Sequence, residues 1–437
     1  MKRFYQDKTY IFFLIILLTV SYLRSPDIFN DGRFWGEDGV IYFQNAIKNS
    51  FFDNFFQIYT PTSGYYNLFP RIVALISSKF SLEIAPLANN YLSYVVIFYI
   101  FCLILFNNSF LYENKKEKLV CCCLVLLCPT LVPEIWLTSN NAQTYFGIST
   151  LFILYLKDET NFIFKFLNRL TLFIGGLSGV YVLAFTPFYF LKYILFQNRN
   201  NLINLIVLSL TLLFQLSFYI YSKINNLMIM RDVNFDLHYL AVFFYNTVAK
   251  LFFPKEVIHF LYNLFINNMV TSLGICLIFI IIFAYIVLES AKILIRNEKQ
   301  LIVTSSLISI FILLISITFI FSGEYFAGRY SAVPGFVLAI IILNLTFFKR
   351  KNLFLKNVYL ILSFLIIISG IYNYRPINDY RIQYLDCINN CTKWKDQIKE
   401  FRSDKSNNEI LVWPYNSEDK LDKFEYQNIM IIDQTSL

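Results

Sequence analysis

Long apolar runs are the feature that most constrains the fold of this 437-residue chain. They recur along most of the sequence, and each is long enough to cross the roughly 30 Å of hydrocarbon in a bilayer. Only 15% of the residues are charged, whereas soluble domains carry about a quarter. Because the runs are continuous and do not alternate, they predict an all-α membrane protein and argue against a membrane β-barrel.

About 11 transmembrane helices are predicted from these runs. Their approximate ranges are 9–23, 88–107, 118–136, 141–156, 168–181, 183–197, 201–222, 270–289, 301–322, 331–348 and 356–373. The stretch 168–197 is ambiguous, because Gly179 and Pro187 fit either two short helices or one long kinked helix.

The distribution of Lys and Arg orients these spans. With eleven spans, the short loops on the N-terminal side are basic, as in 115–118 and 349–351, whereas the short loops near 137–141 and 323–330 contain only Arg329. The positive-inside rule therefore places the N-terminus in the cytoplasm. The net charge of +8 follows mostly from this topology and gives no reason to expect a nucleic-acid partner.

One polytopic domain, 1–373, is predicted, followed by a polar C-terminal tail, 374–437, as a small outside appendage. Two long outside loops, 24–87 and 223–269, interrupt the domain, and amphipathic stretches of the second are expected to lie in the membrane interface. In the tail, Cys387 and Cys391 either pair in an oxidising compartment or stay free, and the sequence leaves both open.

The first outside loop contains an adjacent acidic pair, Glu37 and Asp38, in the stretch RFWGEDGVIYFQNA (33–46). Two neighbouring carboxylates repel each other, so one of them requires a cation, a metal or a hydroxyl group as its partner. Asp38 begins a predicted helix, where an anion is stabilised by the helix dipole. The alternative is a solvated loop acid or an ordinary helix N-cap, which describes most acids in such loops.

The acidic loop and four further stretches resemble a known class of membrane enzymes. The stretches are YTPTSGYYNLFPRIVA (59–74), PEIWLTSNNAQTYFGIS (133–149), GLSGVYVLAFTPFYF (176–190) and GRYSAVPG (328–335). In this order they resemble a group of bacterial polytopic proteins placed among the GT-C glycosyltransferases, which take a sugar from a polyprenyl-phosphate donor. The resemblance implies a GT-C-like bundle with interfacial helices in the first outside loop. One departure is that Gly39 stands where the class usually has its second acid.

Sugar transfer to a hydroxyl requires a base for the acceptor proton and positive charge for the departing phosphate. Asp38 is the predicted base, and Glu37 orients it or holds a divalent cation, a point that stays open. Arg329 with Tyr330, and Arg71, are the predicted donor phosphate ligands, because Arg suits bidentate phosphate capture. The alternative for both arginines is an anchor that extends toward the lipid headgroups.

Five further residues are candidates for binding the sugar or acceptor. They are Trp35, Tyr65, Glu134, Asn141 and Gln143. The polar amides would equally cap the fourth helix, and Trp35 would equally be an interfacial tryptophan.

The resulting hypothesis is a multi-pass enzyme of the bacterial inner membrane whose site faces the periplasm or exterior. It would transfer a sugar from a polyprenyl-phosphate donor to a surface glycan or lipid-linked acceptor. A polysaccharide polymerase and a lipid or glycan flippase are the alternatives. A transporter would be expected to carry ionisable residues in mid-span, and these spans are almost free of them.

Overall fold

The computed structural model describes most of the chain. The described residues are 8–56, 64–128, 133–157, 161–225, 227, 244–267, 274, 277, 278, 281, 284, 298–322, 328–347, 353–374, 393–403, 409–412 and 429–432. Most of the predicted span 270–289 therefore lies outside the described residues. Cys387 and Cys391 also lie outside them.

The described chain is predominantly helical. The first eight helices are α1 Lys8–Arg24, α2 Pro26–Asn30, α3 Gln44–Lys48, α4 Phe51–Phe56, α5 Leu68–Ser77, α6 Ala85–Phe106, α7 Lys115–Leu127 and α8 Gln143–Leu154. The next eight are α9 Phe162–Gly176, α10 Tyr181–Phe196, α11 Arg199–Ile224, α12 Lys250–Phe252, α13 Lys255–Asn267, α14 Glu298–Ser322, α15 Gly328–Phe347 and α16 Leu353–Tyr372. The C-terminal region adds α17 Trp394–Ser403 and the strands β1 Glu409–Leu411 and β2 Ile429–Ile431.

Within the part of the chain that the structure describes, four apolar helical segments are long enough to cross a membrane. They are Ala85–Phe106, Arg199–Ile224, Leu301–Thr318 and Arg329–Phe347. The last of these is 83% buried within the protein and packs against α14, α16 and α8. The expectation of an all-α membrane protein is confirmed at this level, whereas the count of eleven spans is not.

Two predicted spans are shorter than expected. The prediction 118–136 is wrong at its end, because α7 stops at Leu127, and 141–156 corresponds to the 12-residue helix Gln143–Leu154. At 1.5 Å per residue a helix of that length measures about 18 Å, which is less than the hydrocarbon thickness. Every residue of α8 is buried, so its apolar sequence reflects the interior of a bundle and not contact with lipid.

The ambiguous stretch 168–197 forms two helices, α9 and α10. Gly179 separates them with φ of +145°, a conformation that L side chains rarely adopt. The side chain of Gln143 also occupies the place where a Cβ of Gly179 would lie. The break therefore depends on glycine, and Pro187 lies inside α10 without ending it.

The C-terminal tail packs on the first outside loop. A hydrophobic cluster joins the two regions and contains Phe34, Phe43, Leu82, Ala85, Trp394, Ile398, Phe401, Ile410, Val412, Met430 and Ile432. The Trp394 indole donates a hydrogen bond to the Leu82 carbonyl at 2.8 Å, and Arg402 forms a salt bridge with Glu83 at 2.6 Å. The described part of the predicted appendage, 374–437, is therefore packed against the loop 24–87.

This contact constrains the topology. Two regions that share a hydrophobic cluster lie on the same side of any membrane. The chain must therefore cross the bilayer an even number of times between the first outside loop and the tail. The ten crossings predicted between residues 88 and 373 satisfy that requirement.

We expect cysteines that replace Asp53 in the loop and Lys399 in the tail to react with a membrane-impermeant thiol reagent from the same side. A cysteine at Lys116, beyond the far end of α6, should react only from the other side. All three positions are exposed, and the measurement uses protein in which Cys387 and Cys391 are replaced by serine. Labelling of Asp53→Cys and Lys116→Cys from one side would contradict α6 as a span.

Candidate active site

The acidic pair begins a π-helical turn, Asp38–Phe43, in the first outside loop. Such turns are rare and often occur at functional sites. Gly39 lies in this turn, and a Cβ there would come within 3.0 Å of Phe34 Cβ and of both Val412 methyl groups. The space in front of Gly39 is therefore filled, in part by Val412 of the C-terminal tail, and does not admit a substrate.

Asp38 is 1% exposed and accepts hydrogen bonds on both carboxylate oxygens. Oδ1 accepts from the Ser139 hydroxyl at 2.7 Å and from the Asn140 backbone N–H at 2.8 Å. Oδ2 accepts from the Ser139 backbone N–H at 2.9 Å and from the Asn89 side-chain amide at 3.5 Å. A carboxylate has about four acceptor positions. Donors of the protein itself therefore occupy all the acceptor positions of the Asp38 carboxylate.

The Asp38 carboxylate lies at the start of the 3-10 turn Asn140–Ala142, which leads directly into α8. Burial raises the pKa of Asp38 to about 6, against the opposing effect of its hydrogen bonds, and the nearby Glu37 charge contributes to the rise. A base must present a free lone pair to the proton it removes, and this geometry does not provide one.

A divalent cation shared by Glu37 and Asp38 does not fit this arrangement. The groups around the Asp38 oxygens are N–H and O–H donors, whose positive ends point at the place that a cation would occupy. The described residues contain no group of three or more His, Cys, Asp or Glu side chains suited to a metal ion.

Glu37 differs from Asp38 in its surroundings, because it is half-buried. Its charge acts on Arg329 and Tyr65, and Glu134 also acts on Arg329. Tyr330 interacts electrostatically with both Tyr65 and Arg329. These five residues, Glu37, Tyr65, Glu134, Arg329 and Tyr330, form what we call the polar cluster, and the sequence prediction contained all of them.

Arg329 is held in the polar cluster by the start of α15. Pro334 lies inside this helix and has no N–H, so it cannot donate to the Tyr330 carbonyl four residues earlier. The Tyr181 and Thr318 hydroxyls both donate to that carbonyl at 3.3 Å. The Arg329 guanidinium lies 5.2 Å from the centre of the Tyr330 ring. The helix start is thereby fixed from α10 and α14.

Tyr65 connects the first outside loop to α8. The Gln143 side-chain amide donates a hydrogen bond to the Tyr65 hydroxyl at 3.1 Å. Burial, the Tyr330 ring and Glu37 raise the pKa of Tyr65 to about 12, although Gln143 and Arg329 act in the opposite direction. Tyr65 therefore stays protonated at neutral pH and can donate a hydrogen bond.

Three predicted site residues have structural contacts instead. Arg71 donates to the Asn54 carbonyl at 2.7 Å and lies 4.5 Å from the centre of the Tyr66 ring, so it is held within the first outside loop. Trp35 is 6% exposed within the main hydrophobic core, which leaves no ring face for a sugar. Asn141 is 2% exposed, and its side chain donates to a backbone carbonyl of its own loop at 2.9 Å.

Sequence reasoning missed the partners of Asp38. Asn89 is in a predicted span, and Ser139 is one of many small polar residues near helix ends. The only local signal was the run of four polar residues Ser139, Asn140, Asn141 and, after one alanine, Gln143. That run indicates a helix start but does not indicate which distant acid caps it.

An apolar cavity of about 630 Å³ opens between α5, α6 and α9. Its lining is almost wholly hydrophobic and includes Phe69 of α5 and Phe146 of α8, whose rings are 5.1 Å apart. Phe146 is one helical turn from Gln143, the partner of Tyr65. One lining residue of the cavity therefore lies one helical turn along α8 from Gln143, which contacts Tyr65 of the polar cluster.

No family model matches this chain, and comparison with curated proteins and with solved structures finds no significant match. The residues and their geometry therefore carry the functional argument.

The raised pKa of Asp38 predicts how stability depends on pH. A carboxyl whose pKa is raised from 3.8 to about 6 stabilises the fold below pH 4, and this contribution is lost as the pH rises through 6. The shift of about two units corresponds to about 3 kcal/mol. The melting temperature should therefore fall between pH 4 and pH 7 in the wild type, and less in Asp38→Asn. Parallel pH curves for the two proteins would contradict the buried titration.

Proposed function

We propose that the protein is a membrane glycosyltransferase that transfers a sugar from a polyprenyl-phosphate donor to a hydroxyl group. The observation that supports this proposal is the combination of the polar cluster with an apolar cavity whose lining residue Phe146 lies one helical turn from Gln143, the hydrogen-bond partner of Tyr65. A polyprenyl-phosphate sugar has an apolar chain, one phosphate and a polar sugar, in that order. The apolar cavity suits the polyprenyl chain. The carboxylates, phenols and guanidinium of the polar cluster suit the phosphate and the sugar.

The reaction forms a bond between the acceptor oxygen and the anomeric carbon, and it breaks the bond between that carbon and the phosphate oxygen. The acceptor proton passes to a carboxylate, and the electron pair of the broken bond stays on the lipid phosphate. We assign the base to Glu37, because it is half-buried and lies in the electrostatic field of Arg329. Asp38 is the less suitable group, since four donors already bind its carboxylate.

Arg329 is the group that stabilises the leaving phosphate. A guanidinium offers two parallel N–H donors to phosphate oxygens, and its charge offsets the negative charge that develops there. Hydrogen bonds from Tyr181 and Thr318 hold its backbone neighbour Tyr330 in place, so the site is preorganised. The protonated Tyr65 hydroxyl supplies a further donor near the phosphate or the sugar.

Glu134 and Gln143 are suited to binding sugar hydroxyls. Glu134 is half-buried in the short turn Pro133–Ile135, and its charge acts on Arg329. Gln143 begins α8 and already binds the Tyr65 hydroxyl. We place this chemistry at the non-cytoplasmic face of a bacterial inner membrane, because the basic loops are expected on the other side.

A transport function has less support. The four membrane-crossing segments carry charged residues only at or near their ends, namely Arg199, Lys223 and Arg329. A path for an ionic substrate would usually require ionisable groups near the middle of a span. A polysaccharide polymerase remains the nearest alternative enzyme, since it shares polyprenyl-linked substrates.

We expect Glu37→Gln to reduce sugar transfer by a factor of about 10²–10⁴, because the amide cannot accept the acceptor proton. The assay uses membrane vesicles, a panel of polyprenyl-phosphate hexoses and pentoses radiolabelled in the sugar, and extracted cell-surface glycan. Asp53→Asn, at an exposed aspartate of the same loop, is the matched control and should transfer at the wild-type rate. Wild-type transfer by Glu37→Gln would exclude Glu37 as the base.

Arg329 is tested by binding, without an acceptor. Polyprenyl monophosphate should raise the melting temperature of the wild type, and polyprenol of the same chain length should do so less. The phosphate-dependent part of this shift should be small in Arg329→Lys and absent in Arg329→Ala, because an ammonium group cannot replace the planar fork. Equal phosphate-dependent shifts in all three proteins would indicate that Arg329 is an anchor at the lipid headgroups and not a phosphate ligand. The absence of a shift with either lipid would contradict the proposed donor.

A further inference from the structure

The two loops that carry the polar cluster are far apart in the sequence and are joined at Asp38. Glu37 belongs to the first outside loop, whereas Glu134 and Gln143 flank the turn Asn140–Ala142. The Asp38 carboxylate binds Ser139 and Asn140, 101 and 102 residues away. Asn67 of the first outside loop also binds Asn140, with 2.9 Å between the side-chain nitrogen and oxygen.

The start of α8 needs an acceptor from outside. The first N–H groups of a helix have no partner within it, and an N-cap side chain usually accepts from one of them. Ser139 occupies the N-cap position of the turn that leads into α8, but its side chain makes no capping bond. Its hydroxyl donates to Asp38 instead, and Asp38 accepts from the backbone N–H groups of Ser139 and Asn140. Asp38 thus acts as an N-cap supplied from a distant part of the chain.

We infer that Asp38 is a positioning residue whose carboxylate caps the turn Asn140–Ala142, which leads into α8, and so holds Glu37 beside Glu134 and Gln143. This inference rests on the proposed function for its effect on activity, whereas the capping contact itself does not. Asp38 holds the loop of Glu134 at one end through Ser139, and Glu37 is its immediate neighbour in the chain. Displacement of either loop would separate the carboxylates from the guanidinium of Arg329.

Two substitutions at Asp38 distinguish positioning from catalysis. Asparagine is a good N-cap residue and keeps one oxygen acceptor, whereas alanine keeps none. If Asp38 positions the loops, Asp38→Asn should retain at least about a tenth of the wild-type activity, and Asp38→Ala should lose about 10²-fold or more. If Asp38 were the base, both variants would lose about 10²–10⁴-fold.

Hydrogen–deuterium exchange tests the capping contact without an assay of activity. The full-length protein in detergent is compared with Asp38→Asn, Asp38→Ala and the control Asp53→Asn, and exchange is followed in the peptide 133–142. We expect the Ser139 and Asn140 amides to exchange at least about tenfold faster in Asp38→Ala and to stay protected in the control. In Asp38→Asn, the single amide oxygen can accept from one of the two N–H groups, so one of these amides should stay protected. Exchange within α6 and α15 reports whether each variant has folded.

Ser139→Ala provides a second variant if Asp38→Ala does not fold. It removes only the hydroxyl donor and keeps both backbone N–H groups on Asp38, so its amides should show a smaller increase in exchange.

Two results would overturn the inference. One is unchanged amide exchange in folded Asp38→Ala, whatever its activity. The other is an Asp38→Asn protein that keeps the expected amide protection at Ser139 or Asn140 but is as inactive as Asp38→Ala. That result would make Asp38 a catalytic residue. Absence of sugar transfer in the wild type would contradict the proposed function alone, because the exchange measurement decides the capping role independently.

Discussion

The hydrogen bonds of the Asp38 carboxylate are the interaction on which the outer half of this structure depends. They join a turn in the first outside loop to the start of the central buried helix, Gln143–Leu154, across about a quarter of the chain. Burial of an unpaired carboxylate would be costly, whereas one that accepts several charge-assisted hydrogen bonds is tolerated. The same burial raises the pKa of Asp38 to about 6. The raised pKa of this carboxyl therefore accompanies a structural role, the hydrogen bonds to Ser139 and Asn140. A perturbed pKa indicates a functional candidate only in combination with free access to the group.

The sequence predicted the composition of the site better than its geometry. The polar cluster of Glu37, Tyr65, Glu134, Arg329 and Tyr330 was contained in the predicted set, because carboxylates and arginines are rare in an apolar chain and stand out at span ends. The roles within the acidic pair were not accessible, since adjacent residues look alike until their surroundings are known. Asp38 is 1% exposed while its neighbour Glu37 is half-buried, and only tertiary packing determines that difference.

Helix lengths show a similar limit of sequence reasoning. Hydropathy reports whether a segment avoids water, and a helix buried in protein avoids water as well as one in lipid does. Gln143–Leu154 is fully buried and too short to span, yet its sequence alone resembles a membrane helix. The break at Gly179 was predicted as one of two options, because glycine permits a positive φ but does not require it. The contacts of Arg71 and Trp35 could not be predicted either. The sequence does not distinguish a side chain held by contacts within the protein from one that is available to a ligand.

The packing of the tail on the first outside loop has a consequence for biogenesis. The cluster that supports the acidic turn joins Phe34 to Met430 and Ile432, near the two ends of the chain. At translation rates of about 5–20 residues per second, the loop waits on the order of 20–80 seconds for its partner to be made. During this interval Phe34 and Phe43 lack the apolar neighbours that later cover them. Residues made much later in translation thus complete the packing of this loop, and a chain truncated before Trp394 would carry the loop without its cover.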